Sequence, residues 1–329
     1  MTRSGKRTAF RHSPASMTAP TLNYVTCPDT AGGHRMAWWQ WGDASAPHLV
    51  VCVHGLSRQG RDFDVLAQAL VERSPHPVRI ACPDVVGRGR SDWLADPMGY
   101  VIPTYGADML AMLRQLHAAA PVTTLDWVGT SMGGLIGIGL AAQPQLLPVP
   151  LRKLVLNDVG PVIQWGALQR IGTYLGNTGR FESVQQAADA MWEISRGFGP
   201  HTAQQWLALS QAMVREREEG GFTLHYDPAI AAPFRTLDET SAAAGQAALW
   251  QMYDAIRADT LLLRGAQSDL LTRETAQEMT RRGPKARLTE FEGVGHAPTL
   301  VAQEQVEAVA SFLLQTGSAS HEEPYRGAG

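Results

Sequence analysis

Over its first 160 residues the chain alternates short apolar runs with longer runs whose apolar residues recur at helical spacing. Thr21 to Cys27 and Arg35 to Trp41 predict an opening pair of strands, with Gly32-Gly33 making the turn between them. His48-Leu49-Val50-Val51-Cys52-Val53 predicts a third strand and Val78 to Cys82 a fourth, with an amphipathic helix over Asp62 to Arg73 between them. Tyr105 to Ala118 predicts the next helix, carrying Met109, Leu110, Leu113 and Leu116 at helical spacing, and Pro121 breaks it. Leu125 to Val128, the small apolar run Gly134 to Ala142, and Lys153 to Asn157 then read as strand, helix and strand. Thr260 to Arg264 and Leu288 to Glu292 read as two later strands, followed by a helix-like stretch from Leu300 to Leu314. This alternation predicts an α/β architecture, a mostly parallel twisted sheet with helices on both faces. Functional loops then gather at the carboxyl ends of the strands.

The alternation stops near Gly160. Residues 161–250 offer no convincing strand and read as helices, among them Ala167 to Leu175, Ser183 to Ile194 and Thr202 to Met213, with a charged, solvated stretch from Arg215 to Glu219. The expected organisation is therefore a core over 21–160 and 251–316, a helical insertion over 161–250, and disordered tails at 1–20 and 317–329. Most of the insertion's aromatics (Trp165, Tyr174, Phe181, Trp192, Phe198, Trp206 and Phe222) are expected to form its own core. Trp165, close to the exit of the sixth strand, is the one expected to wall a substrate pocket.

Composition narrows the possibilities. A chain of 329 residues, 44% hydrophobic and 18% charged, suits one large cored domain with an insertion. A net charge of −3 without a basic stripe argues against nucleic acid as a partner. Three cysteines do not make a disulfide framework, and Cys52 and Cys82 fall at strand positions as small buried hydrophobes. There is no C-x-x-C and no paired His/Cys spacing, so no metal site is expected. No apolar run reaches the roughly 20 residues needed to span a membrane. The N-terminus carries Arg3, Lys6, Arg7 and Arg11 but no apolar segment of the secretory kind, so a cytoplasmic protein is expected.

The chemistry centres on Gly129-Thr130-Ser131-Met132-Gly133, a G-x-S-x-G motif between a strand and a helix. A turn this sharp strains its central residue, and the flanking glycines remove Cβ atoms that would clash. It lifts the Ser131 hydroxyl above the sheet and leaves the Met132 amide free to stabilise an oxyanion. A serine hydroxyl is a poor nucleophile near neutral pH and needs a base with something to orient it. Around this turn the partners follow in the order acid, then histidine. Of the ten histidines, only His296, in the glycine-rich loop Gly293-Val294-Gly295-His296 after the last strand, has both the order and the setting. Asp269, in the turn Gly265 to Asp269, is the expected acid because its strand is nearer in sequence to His296. Its rival is Asp158, at the end of the preceding strand, for which a structural role is the alternative. A second oxyanion amide is expected at Leu56, after the third strand in His54-Gly55-Leu56-Ser57, with His54 holding the loop through backbone hydrogen bonds.

Together with Asp84-Val85-Val86-Gly87-Arg88-Gly89-Arg90-Ser91, these segments make residues 22–315 resemble the α/β-hydrolase superfamily. The resemblance implies the α/β-hydrolase fold, a helical lid at 161–250, and a structural loop at Asp84 to Ser91. Within the superfamily the chain looks most like lidded small carboxylesterases, enol-lactonases and C–C bond hydrolases. Thr130 before Ser131, and Leu56-Ser57-Arg58-Gln59 after His54-Gly55, depart from the C–C hydrolase pattern. A serine nucleophile argues against haloalkane dehalogenases and epoxide hydrolases, which use aspartate.

The expected function is a serine hydrolase of a small carboxylic ester or lactone, with no cofactor. The alternatives are cleavage of a C–C bond in a vinylogous diketone and a non-catalytic ligand receptor on the same fold. Arg58 and Arg61 are placed to greet an acidic substrate, or else to pair locally with Asp62 and Asp64.

Overall fold

The computed structural model describes residues 19–29 and 32–315. Apart from residues 19 and 20, the tails expected at 1–20 and 317–329 fall outside the described residues. Eight strands form the main sheet: β1 (Thr21–Cys27), β2 (His34–Gly42), β3 (His48–Val53), β4 (Val78–Asp84), β5 (Thr124–Thr130), β6 (Leu151–Asn157), β9 (Asp259–Gly265) and β10 (Arg287–Phe291). Their order is β1-β2-β4-β3-β5-β6-β9-β10. The β1/β2 and β2/β4 pairs are antiparallel, and every later pair is parallel.

Strand β3 shows why its sequence reads as one continuous apolar run. Leu49, Val51 and Val53 pack into the core on one face, and Val50 and Cys52 into the core on the other. A parallel strand buried on both faces has no polar side to alternate with. The first core is closed by α2 (Ile102–Ala119) and α3 (Met132–Ala141), the second by α1 (Asp64–Arg73) and α9 (Gln303–Leu314).

Between β6 and β9 lie α4 (Trp165–Tyr174), α5 (Val184–Ser195), α6 (Ala203–Gln211), a hairpin of β7 (Val214–Glu216) and β8 (Phe222–Leu224), and α7 (Glu239–Ala255). A short α8 (Arg273–Met279) follows β9. The hairpin corrects the expectation of a strandless insertion. The charged stretch Arg215 to Glu219 is one arm and part of its turn, which Gly220 and Gly221 complete at φ of +85° and +74°. Three-residue strands carry too little periodicity to be seen, and the Gly-Gly pair was the available signal. The boundary expected at residue 250 falls inside α7, which packs against α3. Trp192 and Trp206 meet edge to face at 5.0 Å between α5 and α6, with Phe198 beside them, so these aromatics do form a core of their own.

One strand in from the sheet edge, buried His34 of β2 bridges two carboxylates, Nδ1 to Asp29 at 2.9 Å and Nε2 to Asp108 of α2 at 3.0 Å. The hydrogen bond to Asp108 raises the imidazole from 6.5 to about 9, against the opposing effect of burial. A folded value above the unfolded one gives stability that is complete below about pH 6.5 and is lost as pH rises through about 9. The gap in unfolding free energy between wild type and His34→Gln is therefore expected to narrow by about 3 kcal/mol from about pH 6 to about pH 10. Urea melts of both proteins at several pH values check this, and parallel pH dependences would refute it.

Candidate active site

The register of the parallel strands assembles the site. Thr130 at the end of β5 stands opposite Asn157 at the end of β6, which stands opposite Leu263 of β9. The next residues, Ser131 and Asp158, are thereby placed side by side. Their amides continue the ladder, Ser131 to the Asn157 carbonyl at 3.0 Å and Asp158 to the Leu263 carbonyl at 2.8 Å. Both leave their strands at positive φ, +51° for Ser131 and +56° for Asp158. These are strained conformations for residues with a Cβ, and such strain concentrates at functional sites. The glycines around the serine are required for space. A Cβ on Gly129 would lie 2.3 Å from the Gly133 carbonyl oxygen, and one on Gly133 would lie 2.0 Å from that of Val53.

His296 arrives from the loop after β10. Its Nε2 is 3.0 Å from Ser131 Oγ and its Nδ1 is 2.7 Å from Asp158 Oδ2. Asp158 is fully buried, and three donors hold its carboxylate: Nδ1 of His296, the Gly265 amide on Oδ1 at 2.9 Å, and the Ser268 hydroxyl on Oδ2 at 2.6 Å. Asn157 steadies the histidine loop by donating to the Pro298 carbonyl at 2.8 Å.

Asp269 is therefore not the carboxylate on His296. It pairs with Arg170 of α4 through two contacts, at 2.7 and 2.9 Å, and its side chain is 51% exposed. The reason is local. Asp158 follows the last residue of β6 directly, whereas Asp269 is displaced from the end of β9 by the turn from Ala266 to Ser268 and faces outward. Ser268, which orients Asp158, went unseen in the sequence. Its only signal was a hydroxyl in the turn of the strand next to β6.

The loop after β3 lies against the serine: a Cβ on Gly55 would stand 3.8 Å from that of Ser131. Met132 opens α3, where the first amides have no partner within the helix, and Leu56 faces the same cavity as Ser131. Fully buried His54 holds the loop, with Nδ1 on the Gly55 carbonyl at 2.7 Å and Nε2 accepting from the Val85 amide at 2.9 Å. Burial pushes this imidazole down to about 3, so it stays neutral. Buried Arg88 donates to the Leu56 carbonyl at 2.8 Å and reaches the Met132 sulfur at 3.7 Å, tying together the two residues expected to supply oxyanion amides. In the same segment, Asp84 accepts from the Gly60 and Arg90 amides at 2.8 and 2.9 Å, a structural arrangement.

Ser131 and His296 open into a cavity of about 350 Å³. Ile171, Leu175, Met191, Phe198 and Leu224 give it apolar walls, and Arg58, Arg170 and Tyr174 add polar edges. Trp165 is not among the lining residues, contrary to expectation. Helix α4 turns Arg170, Ile171 and Tyr174 inward, and Trp165 lies about two and a half turns before Tyr174, on the opposite side. Arg58 and Arg61 pair locally with Asp62 and Asp64.

Cys27 of β1, His34 of β2 and Asp108 of α2 bring their donor atoms within 4.8 Å of one another, a grouping the sequence spacing did not reveal. Metal binding there would have to displace the His34–Asp108 hydrogen bond and ionise a Cys27 thiol that burial and Asp108 push far up. Among the described residues no helix is long and apolar enough to cross a membrane.

A sharp serine turn at a central strand end, a histidine from the last loop and a buried carboxylate on an eight-stranded sheet define a class. The chain belongs to the alpha/beta hydrolase family, whose model matches residues 50–311. It is 47% identical to a 3-hydroxybutyrate-oligomer hydrolase of Cupriavidus necator, over 90% of this chain and 98% of that protein. It is 29% identical to an esterase of Mycobacterium tuberculosis, over 78% and 76% of the two chains. The crystal structure of an alpha/beta hydrolase from Novosphingobium aromaticivorans superposes with a TM-score of 0.77 at 33% identity, covering 91% of this chain and 99% of that one. These relatives make the chain an ester-bond hydrolase by kinship.

Proposed function

We propose that the protein hydrolyses short linear esters of hydroxy acids, of the 3-hydroxybutyrate oligomer type, through an acyl-enzyme on Ser131. The observation that carries this reading is the hydrogen-bonded line Ser131 Oγ, His296 Nε2, His296 Nδ1, Asp158 Oδ2, with links of 3.0 and 2.7 Å. Ser131 Oγ attacks the ester carbonyl while its proton passes to His296 Nε2. Asp158 fixes the tautomer that leaves Nε2 free to accept, and stabilises the imidazolium that forms. The amides of Leu56 and Met132 hold the oxyanion, a contribution of roughly 3 kcal/mol per donor. His296 then protonates the departing alkoxide, releasing one alcohol and leaving an ester on Ser131. Water, deprotonated by His296, cleaves that ester to a carboxylic acid and restores the serine. Each turnover consumes one water and yields one acid and one alcohol.

The substrate class rests on the relative that is 47% identical over nearly its whole length, and on a cavity near the lower end of the roughly 300–1,000 Å³ typical of small-molecule sites. The insertion acts as a lid that walls this cavity and keeps bulk water out. Incubation with the linear 3-hydroxybutyrate trimer is expected to release monomer, and acid-quenched enzyme should carry an added acyl mass on the peptide containing Ser131. p-Nitrophenyl palmitate should be cleaved at least about tenfold less efficiently than the butyrate ester, because the cavity of about 350 Å³ is small. Release of monomer with the adduct on another residue would refute the Ser131 assignment; no release would refute the substrate class.

A further inference from the structure

Arg170 lines the cavity and keeps part of its side chain exposed. It projects from α4 into the cavity that Ser131 and His296 share, beside Ile171 and Tyr174. Asp269 takes one edge of its guanidinium, through Nε at 2.7 Å and Nη2 at 2.9 Å. Guanidinium has five N–H donors, so this pairing leaves the Nη1 edge for a further acceptor. Tyr174 lines the same cavity one helical turn on from Arg170. The side chain is 42% exposed, at the cavity rim, so a charged group bound there keeps part of its hydration. The other arginine on the cavity is differently placed. Arg58 donates through Nε and Nη2 to Asp62 at 2.7 and 2.6 Å, stacks toward Phe198, and is 13% exposed.

A linear oligoester of a hydroxy acid carries one free carboxylate, at its acid end, and is neutral elsewhere. We infer that Arg170, with Tyr174, forms a subsite for that terminal carboxylate, so that the enzyme engages an oligomer from its acid end and sets an ester near that end on Ser131. This inference rests on the oligoester reading above. Asp269 takes the Nε and Nη2 donors and offsets part of the guanidinium charge, leaving Nη1 to the incoming carboxylate. Planar, two-point recognition of carboxylate is the task for which arginine is suited.

The two ends of the Arg170–Asp269 pair make opposite predictions. The experiment compares kcat/KM for the 3-hydroxybutyrate trimer as free acid and as its terminal methyl ester, in wild type, Arg170→Gln and Asp269→Asn, with melting temperature followed for each. Wild type is expected to favour the free acid by about tenfold, mostly through KM. Arg170→Gln should bring the ratio to about one. Asp269→Asn, which removes the offsetting negative charge and keeps the guanidinium, should preserve or raise it. If Asp269→Asn abolishes the preference as Arg170→Gln does, the pair is a lid clip and the subsite is wrong. Equal use of the two trimers by wild type, or a preference that survives in Arg170→Gln, also overturns it. A wild-type enzyme that cleaves neither trimer yet is labelled on Ser131 by a fluorophosphonate overturns the oligoester reading and the subsite with it.

Discussion

Asp158→Asn is expected to lower kcat/KM for p-nitrophenyl butyrate by about 10⁴-fold, the scale found for the corresponding change in serine proteases. The structure supplies the reason. The two oxygens of Asp158 accept from three donors: His296 Nδ1, Ser268 Oγ and the Gly265 amide. An asparagine has one oxygen to offer. With its NH₂ toward His296, it donates to Nδ1 and forces the proton onto Nε2, where the ring can no longer deprotonate Ser131. With its NH₂ toward Gly265, two donors face each other in a buried site. Asp269→Asn is expected to lose about fivefold at most on this neutral ester, because an exposed ion pair contributes only about 0–1 kcal/mol. Steady-state kinetics of both variants, with melting curves to establish folding, decide the matter. An Asp269→Asn enzyme slower than a folded Asp158→Asn would remove Asp158 from the proton path.

Ser131→Ala should be the more severe loss, about 10⁵- to 10⁶-fold in kcat, because it removes the atom that becomes acylated. The fold should be indifferent to it. The side-chain hydrogen bond of the serine runs to His296, and the turn that strains its backbone is built by the close approaches of Gly129 and Gly133. The melting temperature is therefore expected to stay within a few degrees while fluorophosphonate labelling disappears. Turnover within tenfold of wild type would exclude Ser131 as nucleophile.

Features carried by backbone sterics and continuous burial were legible in the sequence. The doubly buried run of β3 announces a central parallel strand, and the glycines around Ser131 announce a turn that tolerates no Cβ. The place of His296 beside Ser131 was legible because one loop alone combined the right order with glycine-rich freedom. The carboxylate in contact with it was not, because β6 and β9 are neighbours in the sheet and both end near the histidine. Nearness along the chain was the wrong criterion; how closely the carboxylate follows the strand end was the right one. Trp165 failed for a related reason, since being near a strand exit does not fix which side of α4 faces inward. The bounds of helix α7 were not legible because its start, Glu239 to Gly245, is rich in alanine and polar residues and has little apolar periodicity to read.

Placing the carboxylate at the end of β6 separates two tasks that one loop would otherwise share. The turn after β9 holds the Asp158 carboxylate from behind, with the Gly265 amide and the Ser268 hydroxyl, while its next residue points outward to Arg170. In the function and subsite proposed above, support of the catalytic carboxylate and choice of substrate fall to consecutive side chains, Ser268 and Asp269, that face opposite ways. A protein engineer could diversify positions 170 and 269 together and move the enzyme among chain ends of different charge, with Ser131, Asp158 and His296 kept in place. Adaptation by drift has the same route open to it, since the rim can be rewritten one residue away from a relay that stays fixed.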